Sequence, residues 1–336
     1  MKTLYGIQYL RAIAALAVVL FHAAERSDEN FAIGAAGVDV FFVVSGFIMI
    51  VISQNRHQSP LRFLKDRLLR IAPSYWLVTS VMVVGALTGL FPNLILDAPH
   101  LIGSYLFLPV PSPNGGTLWP VLVQGWTLNY EMFFYAAFAA TLMLSANLRI
   151  AALAAIFGAL ALIGFAVKTP DTALFFYTRP LILEFLAGAV IGRLWLSGKS
   201  VKQETGLMLI AIAIFSFTAI YLLKSGFNTF ICAPLAICLV VGVLALEKAE
   251  MLPQLPALAY IGDASYSIYL WHTLAVSVVL KFGMAAGLPT WLIIWSGVAL
   301  GTLLGIACYE CIERPLHVFI KHRRIVFRLP GRAAAE

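Results

Sequence analysis

Charged residues are scarce in this chain of 336 residues. Asp, Glu, Lys and Arg make up 12% of it, hydrophobic residues make up 61%, and the mean hydropathy is +0.90. Soluble domains carry roughly 25% charged residues, so this composition excludes an ordinary water-soluble protein. It predicts an all-α, polytopic membrane protein, because long apolar segments cross a bilayer as helices.

Cysteine is also scarce, and its pattern does not indicate a disulfide framework. The four cysteines, Cys232, Cys238, Cys308 and Cys311, lie in apolar runs. Cys308 and Cys311 have the C-x-x-C spacing of a redox or zinc site, but no second pair accompanies them. We therefore expect buried, inert thiols, no bound metal and no permanently bound cofactor.

Repeats, low-complexity tracts and Pro/Gly-rich linkers are absent, so we expect residues 1–336 to form a single membrane domain with a basic tail at about 313–336. Arg11 interrupts the first apolar run and no small-residue cleavage site follows His22. This predicts a retained helix rather than a signal peptide. The net charge of +7 does not indicate a nucleic-acid partner, since the cytoplasmic loops of membrane proteins collect Lys and Arg.

Ten stretches come close to the roughly 20 residues that a helix needs to cross the hydrocarbon core. They are 4–24, 32–53, 71–91, 122–145, 149–168, 178–197, 205–223, 228–246, 258–282 and 290–312. The segment 92–121 is the longest connection, and its sequence PSPNGG favours a short interfacial or re-entrant piece. An even number of spans places both termini on one side of the membrane. We count 17 Lys and Arg residues on that side and five on the other, which predicts cytoplasmic termini.

Ionisable residues inside membrane spans are the main candidates for function, because each costs about 2.5–3.5 kcal/mol to insert. The predicted topology sorts them into two levels. They are the cations Arg11, Arg67 and Arg70 toward the cytoplasm, and His22, Asp39 and Glu131 toward the outside.

Arg11 and His22 lie on one face of the first helix. Positions eleven apart return to within roughly 20° of each other and lie about 16 Å apart along the axis. The small or smooth residues Ala15 and Val18 line the face between them. A cation and an imidazole at the two ends of such a stripe indicate a functional face.

Other candidates also have structural explanations. Asp39 can be the partner of a helix N-terminus, and Arg67 and Arg70 can be positive-inside anchors. Glu184 is expected to form a structural ion pair with Arg179. These interpretations stay open at the level of the sequence.

His272 is another candidate of this kind. It shares a helix face with Ser265 and Tyr269 at i, i+4, i+7 spacing, and a histidine within the membrane is often a hydrogen-bond partner of a neighbouring helix.

Five sequence blocks resemble the membrane acyltransferase 3 family, bacterial enzymes that O-acylate sugars. The blocks are Arg11-x10-His22, GVDVFFVVSGF at 37–47, RIAPSYW at 70–76, WTLNYEMFFY at 126–135 and SYSIYLWH at 265–272. They extend from the first to the ninth span and so cover most of the chain. The fourth departs from the family pattern only in that Phe133 and Phe134 precede Tyr135. The opening IQYLRAIAALAVVLFH is most similar to members that acetylate exopolysaccharides or their lipid-linked precursors.

The resemblance implies an integral O-acyltransferase of the bacterial inner membrane. Such an enzyme moves an acyl group, expected to be acetyl, from acyl-CoA to a hydroxyl of a cell-surface or exopolysaccharide sugar or its lipid-linked precursor. Its expected partners are acyl-CoA, a saccharide or lipid-linked oligosaccharide, and the bilayer. Acetyl-CoA is then a substrate rather than a resident cofactor.

The resemblance also suggests roles for the charged residues. Arg11, Arg67 and Arg70 are expected to bind the donor's phosphates through charge-assisted hydrogen bonds, and the smooth face of the first helix to receive its pantetheine arm. His22 is expected to be the general base, or to carry the acyl group transiently.

A carboxylate is expected to orient the catalytic imidazole. Glu131 is the preferred candidate because no local backbone donor satisfies it, and Asp39 is the alternative. Ser45, Tyr269 and His272 are candidates for acceptor contacts or for structural roles.

A non-enzymatic transporter or flippase of a glycan or lipid is the alternative function. Histidine and glutamate inside the membrane suit a proton-coupled carrier. The lack of an internal repeat, which many transporters have, argues against this alternative.

Overall fold

The described part of the chain is helical and contains no strand. A computed structural model describes residues 4–54, 58–113, 115–170 and 172–326, with side chains up to residue 320. The helices are α1 (Tyr5–Glu25), α2 (Gly37–Ser53), α3 (Pro60–Leu87), α4 (Ala98–Leu106), α5 (Trp126–Ala140), α6 (Ala146–Gly164), α7 (Ala173–Tyr177), α8 (Ile182–Leu196), α9 (Gln203–Leu222), α10 (Thr229–Lys248), α11 (Pro256–Ala285), α12 (Thr290–Cys308) and α13 (Arg314–Val326). Residues 327–336 of the predicted basic tail lie outside the described residues.

Among the described residues, nine helical segments are long and apolar enough to cross a membrane. They confirm the all-α, multi-pass class. The predicted span 122–145 is the exception, because α5 has 15 residues and is only about 22 Å long. A hydrocarbon core is roughly 30 Å thick, so the prediction of a full-length helix at 122–145 was wrong.

The segment before α5 explains why that helix is short. Gln124 lies in a 3-10 turn, Val123–Gly125, and is buried. Its Nε2 donates to the carbonyl of Leu270 (3.0 Å) and to Oγ1 of Thr273 (2.8 Å). Leu270 lies halfway along α11, so α5 starts level with the middle of that helix.

The long connection 92–121 contains a short helix followed by a buried extended segment. Asp97 caps α4 by accepting from the backbone N–H of His100 (2.7 Å). Beyond α4, the N–H of Val121 donates to Oγ of Ser104 (2.9 Å), and Leu122 is buried. Non-helical backbone is stable at membrane depth where protein surrounds it, as expected for a re-entrant piece.

Helix α3 begins eleven residues before the predicted span 71–91. Ser59 is its N-cap, with Oγ accepting from the N–H of Arg62 (3.4 Å), and Pro60 occupies the first turn, where its missing N–H is harmless. The basic residues at 62–70 were expected to precede the membrane helix, yet they form its first turns. Arg67 and Arg70 therefore lie within α3.

The start of α1 and the C-terminal helices meet at one end of the protein. The hydroxyl of Tyr9 donates to the carbonyl of Pro253 (2.6 Å), which lies between α10 and α11. His317 of α13 lies 3.3 Å from the carbonyl of Arg70 in α3. This common end is the one that loop charge predicts to be cytoplasmic, and we call it the inner end.

Helices α2 and α8 are in backbone contact. A Cβ atom at Gly188 would lie 1.9 Å from the carbonyl oxygen of Val43, and one at Gly46 would lie 2.0 Å from that of Phe185. Small residues permit such close approach of membrane helices. The crossing brings the side chain of Asp39, on α2, to Glu184 on α8.

Candidate active site: two cavities on either side of Tyr269

The predicted donor-binding residues line one cavity near the inner end, which we call the inner cavity. Its volume is about 110 Å³. Among its lining residues are Arg11 from α1, Ser45 from α2, Arg67 and Arg70 from α3, Glu131 from α5, and Ser265 and Tyr269 from α11. The structure therefore brings Arg11 together with Arg67 and Arg70, which lie far from it in the sequence.

The cations of the inner cavity differ in how they are held. Nη1 of Arg11 donates to Oε1 of Gln8 (3.1 Å), and Gln8 donates to Asp263 of α11 (2.6 Å). Nε and Nη1 of Arg67 are buried and have no hydrogen-bond partner. A buried donor without a partner is destabilising by about 1–3 kcal/mol, and more when it is charged. Arg67 is therefore suited to bind an anionic ligand.

Glu131 belongs to the inner cavity and not to the surroundings of His22. Its Oε1 accepts hydrogen bonds from the hydroxyls of Ser45 (2.7 Å) and Tyr135. The predicted contact between Glu131 and His22 was wrong, because α5 starts deep in the protein rather than at the outer surface. Glu131 is consequently nearer the inner end than its position in the sequence indicates.

His22 lines a second and larger cavity, which we call the outer cavity. Its volume is about 410 Å³. Its lining includes His22, Asp39, Trp119, Trp126, Tyr130, Phe176, Arg179 and Tyr269. Most of these side chains are aromatic. The others are His22 from α1, Asp39 from α2 and Arg179 from the turn before α8.

Three side chains contact the imidazole of His22, and one of them is Phe21 of the same helix, with the ring centroids 4.7 Å apart. Nδ1 of His22 lies 3.3 Å from Oε2 of Glu25 on the next turn of α1. Its ring stacks on that of His272 at a centroid distance of 5.3 Å. Sequence reasoning missed Glu25, although its i, i+3 spacing from His22 was a visible signal.

His272 is fully buried, and its hydrogen bonding defines its tautomer. Nδ1 of His272 donates to the carbonyl of Ile268 (3.0 Å), which leaves Nε2 as an acceptor without a partner. Its ring also lies 6.1 Å from that of Tyr269. His272 thus forms part of the support of His22.

Asp39 does not contact His22 in the way expected of its orienting carboxylate. It lies in the first turn of α2, as its structural explanation predicts, and its carboxyl group contacts that of Glu184. The predicted ion pair between Glu184 and Arg179 was therefore wrong. The backbone contact of α2 with α8 places Glu184 toward Asp39 instead.

Tyr269 and Val38 line both cavities and so separate them. The hydroxyl of Tyr269 donates to the carbonyl of Gln124 (2.9 Å) and lies 2.9 Å from Oγ1 of Thr127. The expected open stripe along α1 is closed, because Ala15 is fully buried against α11. The two cavities therefore adjoin at Tyr269 and Val38 rather than along the face of α1.

In the described residues, no cluster of three or more His, Cys, Asp or Glu side chains has the arrangement of a metal site. Cys308 is buried and Cys311 is exposed, and both are free thiols.

The sequence of residues 4–310 matches the profile of an acyltransferase domain family. The chain belongs to the acyltransferase 3 family. This confirms the resemblance that its five sequence blocks indicate, and it identifies the protein as a membrane O-acyltransferase.

Curated relatives are similar along most of the chain. The exopolysaccharide production protein ExoZ of Rhizobium meliloti is 50% identical over 316 residues, which cover 94% of this chain and 100% of the relative. A candidate membrane-bound transacylase of Komagataeibacter xylinus, BcsY, is 26% identical over 79% of this chain and 71% of its own length. A candidate O-acetyltransferase of Staphylococcus aureus is 24% identical over 94% of this chain and 57% of its own length. No solved structure is significantly similar to the chain.

Proposed function

We propose that this O-acyltransferase moves an acyl group, expected to be acetyl, from acyl-CoA at the inner cavity to a sugar hydroxyl in the outer cavity. The acceptor is an exopolysaccharide or its lipid-linked precursor. The observation that carries the proposal is that Nε and Nη1 of Arg67 are buried without a hydrogen-bond partner in a cavity that Arg11 and Arg70 also line. The name of the R. meliloti relative, an exopolysaccharide production protein, supports the class of acceptor.

The inner cavity fits part of an acyl-CoA molecule. Its volume of about 110 Å³ is below the range of about 300–1,000 Å³ for sites that enclose a whole ligand. We therefore assign it to the narrow pantetheine arm, with the nucleotide at its entrance. Arg11, Arg67 and Arg70 then bind the phosphates by charge-assisted hydrogen bonds, and the thioester points toward Tyr269.

The outer cavity supplies the base and the acceptor hydroxyl. Since Nδ1 of His22 faces Glu25, we assign Nε2 to the proton of the acceptor hydroxyl. The hydroxyl oxygen attacks the thioester carbonyl, the C–S bond breaks, and the imidazolium returns its proton to the thiolate of coenzyme A. A transient acyl-histidine is the second route that this arrangement permits.

Glu131 has a different role in this proposal from the one that the sequence suggests. Its hydrogen bonds to Ser45 and Tyr135 make it a positioning residue in the donor cavity. Asp39 lines the outer cavity and is assigned to acceptor hydroxyls. We place the enzyme in the cytoplasmic membrane with both termini in the cytoplasm, where acyl-CoA is made.

The test uses the purified chain in lipid vesicles with acetyl-CoA and deacetylated exopolysaccharide oligosaccharide. Wild-type protein should release coenzyme A thiol and form an O-acetyl ester. Arg67→Gln should raise the apparent KM for acetyl-CoA roughly ten- to a hundredfold, the size of one lost charged hydrogen bond.

The matched control is Arg62→Gln, which removes an exposed cation of the same helix outside the cavity. An equal rise in KM for both variants would refute a specific donor contact at Arg67. Glycan movement across the membrane without thiol release would support the transporter alternative.

A further inference from the structure

We propose that the outer cavity recognises an acidic group on the acceptor, a carboxylate or a phosphate, through Arg179. This inference rests on the proposed function, because it concerns the acceptor side of the same reaction. It predicts that the natural acceptor is an anionic saccharide, or a saccharide linked to a phosphorylated lipid.

Arg179 occupies a fixed place in the wall of the outer cavity. It lies in the turn between α7 and α8, and it lines the same cavity as His22. Its guanidinium carbon lies 5.6 Å from the centroid of the Phe175 ring. A cation over an aromatic face is attracted by the ring, so Phe175 holds the charge at the cavity without neutralising it.

The charge of Arg179 has no counter-charge within the described residues. Glu184, the acid nearest to it in sequence, contacts Asp39 instead. The described ion pairs are His22 with Glu25 and Arg314 with Glu310. Arg179 therefore keeps a planar fork of five N–H donors, which matches the geometry of a carboxylate or phosphate.

The other walls of the outer cavity suit a sugar ring. Trp126 and Tyr130 meet nearly at right angles, with their ring centroids 5.9 Å apart. Trp119 lies at the cavity and is 49% exposed. The C–H faces of a pyranose can pack against the rings of Trp119 and Trp126, and an indole N–H can donate to a sugar hydroxyl. A volume of about 410 Å³ lies within the range of small-molecule sites.

Arg179 and the aromatic walls together define the acceptor more narrowly than an aromatic pocket alone. The rings bind the sugar that carries the reacting hydroxyl beside His22, and Arg179 binds an acidic group on that sugar or on its neighbour. A phospholipid headgroup of the bilayer has the same anionic chemistry, so the test must separate a lipid from the acceptor.

The experiment compares two acceptors with the full-length protein in vesicles of neutral phosphatidylcholine. One is an oligosaccharide with a free carboxylate or phosphate, and the other is the same oligosaccharide with that group methyl-esterified. Wild-type enzyme should have a KM for the acidic acceptor roughly ten- to a hundredfold below that for the ester, as one charged hydrogen-bond pair implies.

Arg179→Gln should abolish this preference by raising the KM for the acidic acceptor only, with the KM for acetyl-CoA unchanged. Arg179→Lys keeps the charge but loses the fork, so it should retain part of the preference. The control Lys168→Gln removes an exposed cation that lies in the connection between α6 and α7 and does not line the cavity, and it should keep the full preference.

Equal KM values for the two acceptors with wild-type enzyme would overturn the inference, and this measurement does not depend on the folding of any variant. A preference that survives in Arg179→Gln would overturn it too. An effect of Arg179→Gln that appears only when anionic phospholipid is added would assign Arg179 to the bilayer instead. Failure of the proposed function is distinct, because wild-type protein would then release no thiol with either acceptor.

Discussion

At the scale of single residues, His22 is notable because side chains of two helices contact its ring. Glu25 approaches from the same helix and His272 from α11. His272 is itself fixed by a hydrogen bond to the backbone of its own helix. In the proposed mechanism His22 is the base, and a base whose ring is held on two sides is preorganised for proton transfer, which reduces the entropy lost on reaching the transition state.

The residue-scale prediction concerns Glu25 as a positioning residue. Glu25→Gln should lower kcat by up to about fivefold, because the imidazolium formed during transfer loses the charge of an exposed partner. The KM for acetyl-CoA should not change, since Glu25 is not part of the inner cavity. His22→Ala should abolish turnover in the same assay of thiol release.

Glu29→Gln is the matched control for this prediction. It removes an acid from the same exposed turn, and no contact between Glu29 and His22 is present. A loss of activity in Glu29→Gln equal to that in Glu25→Gln would show that general surface charge, and not the contact with His22, explains the effect.

The sequence was sufficient to select most of the charged residues of the two cavities but not to pair them. Arg11 was recognisable because a cation inside a membrane span is costly, and Arg67 and Arg70 because they lie at the inner edge of the predicted span 71–91. The pairing of Asp39 with Glu184 depends on the backbone contact between α2 and α8. A one-dimensional pattern contains no information on such a crossing, so Arg179 was assigned the wrong partner.

At the scale of secondary-structure elements, the remaining differences between the predicted spans and the observed helices come from where the helices start. The ten predicted spans follow apolar runs, and nine of the corresponding helices have the length to cross a membrane. Hydropathy cannot distinguish a helical segment from an apolar segment that enters the protein as irregular backbone. For this reason the stretch 122–125 was placed in a helix, and Glu131 was assigned to the outer level.

The element-scale prediction tests the contact between α2 and α8. Gly188→Ala should lower the thermal unfolding midpoint clearly, because its Cβ would lie 1.9 Å from the carbonyl oxygen of Val43 and one of the helices must move. Overpacking of this kind typically costs about 1–3 kcal/mol. Thermal unfolding is measured in detergent, and the fraction of protein that remains monodisperse is recorded at each temperature.

Gly158→Ala on α6 is the control, because a Cβ there meets no atom within 4 Å. It should leave the midpoint unchanged or raise it, since alanine favours a helix over glycine by up to about 1 kcal/mol. If Gly188→Ala is as stable as Gly158→Ala, helices α2 and α8 do not pack as closely as described.

At the scale of the whole molecule, α1 connects the two functional levels. Arg11 lies in the inner cavity near its start and His22 in the outer cavity near its end. The family resemblance predicts this division between donor and acceptor. It does not predict that Tyr269 and Val38 form the wall between the cavities, because that wall depends on how α2 and α11 pack against the irregular segment before α5.

The last prediction follows from this division and concerns the sidedness of the reaction. Acyl-CoA carries several charges and does not cross a bilayer unaided, so in sealed vesicles it reaches only one of the two cavities.

Two vesicle populations are distinguished by protease cleavage of a tag placed after Glu336, because cleavage reports whether the inner end faces outward. Externally added acetyl-CoA should give transfer to acceptor enclosed in the vesicles only in the population whose tag is cleaved. In the opposite population, transfer should begin when a pore-forming detergent admits the donor. Transfer that occurs only in the intact population whose tag is not cleaved would mean that the donor enters from the outer cavity, and the assignment of Arg11, Arg67 and Arg70 to its phosphates would have to be abandoned.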